Sequence, residues 1–187
     1  MVPGSGIAPD AQPRESYEAK AVSELADADA LVPGASAIAG RGSLFARVVL
    51  LKGEPGEEDR SAGRALAGAD GEAADKVLVA LGIDPATAWR MCTRVAGEGG
   101  ASAEARARRV ELAIEAVDPD LVIALDREAG EDLARAFGLA SLEPGKPVQA
   151  RGRTLGAVSG LATSLGHEGA KARVWSELRA VAGERHD

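Results

Sequence analysis

The chain has 187 residues, 45% of them hydrophobic, which is long enough for one buried core and too apolar for wholesale disorder. Its formal charge of −7 argues against a general basic face that grips phosphates. A single cysteine, Cys92, excludes an internal disulfide and a cysteine-built metal site, and aromatics at 3% leave few rings to stack on bases.

Residues 1–14 (MVPGSGIAPDAQPR) are rich in proline, glycine and small residues without periodicity, and read as a disordered tail ahead of one domain over 15–187. A helical pattern runs from Glu15 to Leu31, with Tyr17, Ala21, Leu25 and Ala28 near one face, and stops at Val32-Pro33-Gly34. Ala46 to Gly53 (ARVVLLKG) is an unalternated apolar run, as expected of a strand covered on both faces. An acidic Gly/Pro loop follows, then a helix over 71–81 ended by Gly82. A weaker strand is predicted over 89–95.

Ser102 is a good N-cap, and Glu104 suits the first turn of a helix that continues to Val117 and breaks at Asp118-Pro119. Asp120 to Asp126 (DLVIALD) is a second strand of the doubly buried kind, followed by a helix from Arg127 to Phe137. Two short strands are expected over 148–151 and 154–158. The last helix runs from Glu168 to Ala182, with Ala172, Trp175, Leu178 and Val181 as its apolar face.

Strands alternating with helices of this length predict an α/β fold: a three-layer α/β/α sandwich around a mainly parallel sheet. Ligands in such sheets bind beyond the carboxyl ends of the strands. The loops to watch are therefore 53–71, 95–102, the turn after Asp126, and 159–166. The arginines at 106, 108 and 109 and at 151 and 153 read as a solvated helix face and a strand edge. No apolar run approaches the roughly 18–20 residues of a membrane span, and no signal sequence opens the chain, so a cytoplasmic protein without membrane contact is expected.

The strand-then-loop LLKGEPGEEDRSAGRALAG lacks the Gly-Lys-Ser/Thr of a nucleotide-binding phosphate loop, and on its residues alone reads as an acidic surface turn. Its order of pieces resembles the first motif region of the bacterial iron–sulfur uracil-DNA glycosylases. That region has a buried strand, Gly-Glu-Ala-Pro-Gly, an acidic pair with arginine, a Gly-Arg-Pro-Phe-Val-Gly stretch and a helix. Here the counterparts are Pro55-Gly56, Glu57-Glu58-Asp59-Arg60 and Gly63-Arg64-Ala65-Leu66-Ala67-Gly68. The lead-up over 40–51, the unit VELAIEAVDPDLVIALDREAGEDLARAFG and the terminal AKARVWSEL are similar to that family too. The resemblance covers nearly all of residues 20–182.

The departures are chemical. Leu66 stands where the family stacks a phenylalanine on uracil, and the chain has no asparagine to read the uracil edge, the nearest position falling at Met91–Thr93. The family's His-Pro motif is replaced by Val158-Ser159-Gly160-Leu161-Ala162, with His167 several residues late, and the four cluster-binding cysteines are absent. Base excision needs a stacked, edge-read base and a donor for the charge that grows on it. The resemblance therefore implies a catalytically degenerate member without an iron–sulfur cluster, cofactor or metal. Gly53, Pro55, Gly56, Arg60, Leu66, Cys92, Ser159 and Gly160 would form the remnant pocket, and Glu54, Asp59 and His167 are the candidate catalytic groups. Such a protein would act as an accessory to replication or repair proteins, with DNA a weaker partner. The alternatives are a divergent active glycosylase, and a clamp-loader accessory like the psi subunit of bacterial DNA polymerase III, whose last loop and helix resemble SGLATSLGHEGAKARVW. The residues also leave open a binder of a small nucleotide-like ligand in the remnant pocket.

Overall fold

In the computed structural model, residues 11–95 and 100–183 are described. Helix α1 spans Ala11–Ala30, so residues 11–14 belong to a helix rather than to the expected tail, while residues 1–10 lie outside the described residues. The strands are β1 (Arg41–Gly42), β2 (Val48–Lys52), β3 (Trp89–Cys92), β4 (Leu121–Ala124), β5 (Val148–Ala150) and β6 (Arg153–Ala157). They form one sheet in the order β1-β3-β2-β4-β6-β5. The four inner strands are parallel, and the two edge strands run antiparallel to their neighbours. A mixed α/β fold with a mainly parallel sheet was legible from the two unalternated apolar runs, which became β2 and β4 at the centre.

Alternation along those central strands divides the core. Val49, Leu51, Val122 and Ala124 face α4 (Ala103–Val117) and α5 (Arg127–Ala136). Val48, Leu50, Leu121 and Ile123 face α3 (Ala69–Ala80) and α7 (Glu168–Ala182). Successive strand residues point to opposite faces, so each apolar run feeds both layers at once. Truncating a side chain such as Leu51 or Ile123, both essentially inaccessible, would cost about 2–5 kcal/mol.

Caps fix the helix starts. Ser102 Oγ accepts from the Ala105 amide at 3.1 Å, as its N-cap position foretold. Gly82 follows α3 with φ +73°, the left-handed turn expected of it.

Several expectations need correction. The loop over 53–71 contains a short helix, α2 (Glu57–Ala62), because three acidic residues occupy its first turn and suit its dipole. The apolar face of α7 is Val174, Leu178 and Val181, which leaves Trp175 half-buried beside it and Ala172 exposed. Arg109 and Arg153 are not solvated: Arg109 donates to Asp29 and to the Cys92 carbonyl, and Arg153 to Glu115 and Asp118. A long side chain can bury its guanidinium only where acceptors replace water, which residue spacing does not reveal. A further short helix, α6 (Leu161–Ser164), leads into α7.

Candidate functional site

The sheet order places the functional crevice. The connection after β2 crosses to the α3 side, and β4 is followed by α5 on the other side, so strand order reverses between β2 and β4. Open α/β sheets bind ligands at the carboxyl ends of the strands flanking such a point. Here Gly53, just after β2, meets Asp126, just after β4.

Asp126 caps α5: its Oδ1 accepts from the Ala129 amide at 2.8 Å, and its two oxygens accept from the Gly53 amide at 3.1 and 2.9 Å. Gly53 allows this closeness, since a Cβ there would lie 2.5 Å from the Glu128 Cβ and 2.8 Å from Asp126 Oδ1. Burial raises the Asp126 pKa above the ordinary carboxylate value, outweighing the two backbone donors. The chain thus bridges its own switch-point crevice and supplies the anion at the α5 N-terminus, where an external anion would otherwise bind.

Beside that bridge lies an ion triad. Lys52 Nζ, at the end of β2, is 2.6 Å from Asp59 Oδ2 and 2.5 Å from Asp70 Oδ2. Asp59 also accepts from the Gly56 amide at 2.8 Å and the Ala67 amide at 2.6 Å, and is only 1% exposed. Burial works against its charge, but the Lys52 ammonium and the two amides together hold its pKa below the usual range. The same pairing raises Lys52 despite its desolvation. Every oxygen of Asp59 is therefore committed to folding the 53–71 loop, and the reading of this residue as a surface carboxylate is corrected.

Leu66 is buried in the core cluster that also holds Val48, Leu50, Ala74 and Leu78. Its backbone has φ +52°, a conformation that costs a non-glycine residue about 1–3 kcal/mol and persists only where surroundings enforce it. The enforcers are Arg41, which donates to the Ala65 and Leu66 carbonyls, and Gly71, where a Cβ would lie 2.0 Å from the Leu66 oxygen.

The remaining expected residues divide into two groups. Gly53, Pro55, Gly56 and Leu66 lie on the segment between β2 and α3, where Gly56 donates to Asp59 and Gly53 to Asp126, with Arg60 exposed on α2 and Cys92 buried in β3 in register with Lys52. Ser159 and Gly160 follow β6, and β4 stands between them and β2. The Ser159 amide and hydroxyl both donate to Glu177, and Ser159 borders a cavity of about 710 Å³ shared with Arg127, Glu131 and Arg135 of α5. Glu54 is exposed on the loop, and His167 is exposed at the N-cap of α7 without a capping bond from its side chain.

Sequence reasoning missed Lys52, Asp70 and Asp126 as organisers. Only Asp126 carried a signal, as a capping-type residue directly after a buried strand. A second ionic cluster closes the end of β3: Thr93, Arg94 and Arg106 all donate to the buried Asp132. Among the described residues, no group of three or more His, Cys, Asp or Glu side chains is set to hold a metal ion, and no helix is long and apolar enough to cross a membrane. Residues 96–99 and His186 lie outside the described residues. No protein-family model and no curated protein matches this chain.

Proposed function

We propose that the chain is a catalytically degenerate uracil-DNA-glycosylase-like domain that serves as a non-enzymatic accessory in DNA replication or repair. The observation that carries this reading is the bridged crevice: Asp126 and Gly53 occupy the switch point, and Asp59 is consumed by Lys52 and two amides. A general base must reach its substrate's proton, and a carboxylate whose oxygens already accept three hydrogen bonds is a poor one. Leu66, turned into the core, offers no face to a flipped base.

The rim favours a protein partner over DNA. Glu54, Glu57 and Glu58 are exposed on the loop together with Arg60, Arg64 and, next to Asp126, Arg127, a mixed rim without the dense basic patch that phosphate binding needs. This charge pattern favours the psi-like assembly role within the accessory reading.

The test is base release from uracil-containing single- and double-stranded oligonucleotides, with protein in molar excess and long incubation, alongside Glu54→Gln. No release, together with stable co-elution of the chain with purified clamp-loader or repair components, is the expected result. Uracil release that survives repurification and disappears in Glu54→Gln would overturn the proposal in favour of a divergent glycosylase.

A further inference from the structure

The cavity of about 710 Å³ beside Ser159 lies at the carboxyl end of β6, with β4 between it and the strand that leads into the bridged Gly53 turn. Open α/β sheets hold their ligands at carboxyl ends of parallel strands, so this neighbouring position is left when the first is closed. Ala134 of α5, with Leu139, Leu142, Ala157 and Val158, gives it an apolar lining. The wall formed by residues 138–144 is pinned at both ends. The Leu139 amide donates to the Ala134 carbonyl at 2.9 Å, and the Gly145 amide to the Ala157 carbonyl at 2.9 Å. A pre-formed cavity of this size is the form that small-molecule sites take.

The charged side chains of the lining define the ligand. Arg127, Glu131 and Arg135 border the cavity, each about one turn of α5 from the next. Glu131 is engaged by a residue outside that lining: Arg94 donates to its Oε2 at 2.8 Å. Among the described residues, Arg127 donates only to Glu128, at 3.3 Å, and Arg135 only to Glu104, at 3.4 Å. Long single contacts of this kind at a surface contribute little. A guanidinium carries five N–H groups, so both arginines keep donors for a ligand. Those donors are reachable, because the two side chains are 78% and 56% exposed. Two positive charges against one negative leave the lining with one excess positive charge, in a chain of net charge −7. A carboxylate matches that single charge and the planar arginine fork, whereas a phosphate monoester brings about −1.5 to −2.

We propose that this cavity binds a small amphipathic carboxylate, its apolar body against Ala134, Leu139 and Ala157 and its anion held by Arg127 and Arg135. The site owes nothing to the glycosylase resemblance, so it stands or falls apart from the proposed function.

The experiment uses the full chain, ¹⁵N-labelled at neutral pH, titrated with 6-phenylhexanoate, with its neutral isostere 6-phenylhexanamide, and with acetate. The expected result is a saturable shift of the Gly130, Gly138 and Leu139 amide resonances with 6-phenylhexanoate. The amide should bind roughly 3- to 10-fold more weakly, the worth of an accessible arginine–carboxylate pair. Acetate, which covers none of the apolar lining, should bind at least roughly 10-fold more weakly. Arg127→Gln/Arg135→Gln alters only exposed side chains, so the circular dichroism spectrum should be unchanged while the preference for the carboxylate over the amide disappears. The proposal is overturned if 6-phenylhexanoate leaves those three resonances in place up to its solubility limit. It is equally overturned if the amide or acetate binds as tightly as the carboxylate, or if the preference survives in the double variant.

Discussion

Replacing Asp59 by alanine tests whether this carboxylate is the keystone of the 53–71 loop. The substitution removes three bonds, from Lys52 Nζ and from the Gly56 and Ala67 amides, and leaves Lys52 with Asp70 alone. Breaking a buried ion pair by deleting one partner costs about 3–5 kcal/mol. The two amides are half-exposed and can recover water, so their loss adds little to that figure. For a chain of this size the melting temperature should fall by about 6–20 °C, followed by circular dichroism. The pH dependence gives the sign. Asp59 has a folded pKa below its ordinary 3.8, so its contribution is complete above that value and is lost as pH falls through the lower folded one. The gap between the parent chain and Asp59→Ala should therefore hold steady at neutral pH and close below about pH 3.8. Lys52→Met should share this direction for a different reason: it leaves two buried carboxylates facing each other without a cation, so protonating them on acidification should narrow its deficit. A loss under about 1 kcal/mol in Asp59→Ala, or a gap that widens as pH falls, would refute the reasoning.

Three more outcomes are expected. Because burial raises the Asp126 pKa, the folded state holds its proton more tightly than the unfolded one, and the parent chain loses stability as pH climbs from 3.8 through the folded value. Asp126→Asn, which still caps α5, should flatten that decline at a cost of about 1 kcal/mol or less, whereas Asp126→Ala should cost about 1–2 kcal/mol, both read from urea melts at acid and neutral pH. Burial, with Asp59 near it, pushes the Cys92 thiol up to about 12, so the native chain should react with a disulfide reagent roughly 10³-fold more slowly than the urea-unfolded chain on thiolate fraction alone. Equal rates would show that Cys92 is accessible. Arg109→Met removes the bonds that tie α4 to Asp29 of α1 and to the Cys92 carbonyl; it should cost about 1.5–3 kcal/mol and make α1 the first site of limited proteolysis.

Much of the layering was legible because a parallel strand covered on both faces needs an unbroken apolar run, and the chain has two conspicuous ones. Ser102, Gly82 and Asp118-Pro119 marked helix ends through local backbone chemistry, which sequence reports well. Tertiary partners were not legible. Arg109 looks like its neighbour Arg108, yet one is buried and the other exposed, because Asp29 lies 80 residues away in sequence and 2.8 Å away in space. Lys52 ends an apolar strand and gave no sign that two aspartates would fold back onto it. Trp175 sat at a core spacing, but the half-turn choice between Val174 and Trp175 is made by the neighbouring α3 and α6 rather than by periodicity. Leu66 was noticed for the ring it replaces, while its left-handed backbone depends on Arg41 and Gly71 across the loop.

The crevice gathers these threads into one physical argument. Asp59 is buried and Asp126 half-buried within one loop cluster, yet their pKa values move in opposite directions. Asp59 has a cation at 2.6 Å and is stabilised as an anion; Asp126 has backbone donors alone, and desolvation wins. A carboxylate kept in an unfavourable environment is often a sign of chemistry at an active site. At Asp126 the geometry gives a structural account instead, because both its oxygens hold Gly53 and the α5 N-terminus together across the strand-order reversal. Opening the crevice would hydrate Asp126 but would orphan the Gly53 amide and uncap α5. The α5 N-terminus that would make such a crevice attractive to an anion is thus already capped by Asp126, so an anion binding there must first displace the chain's own carboxylate.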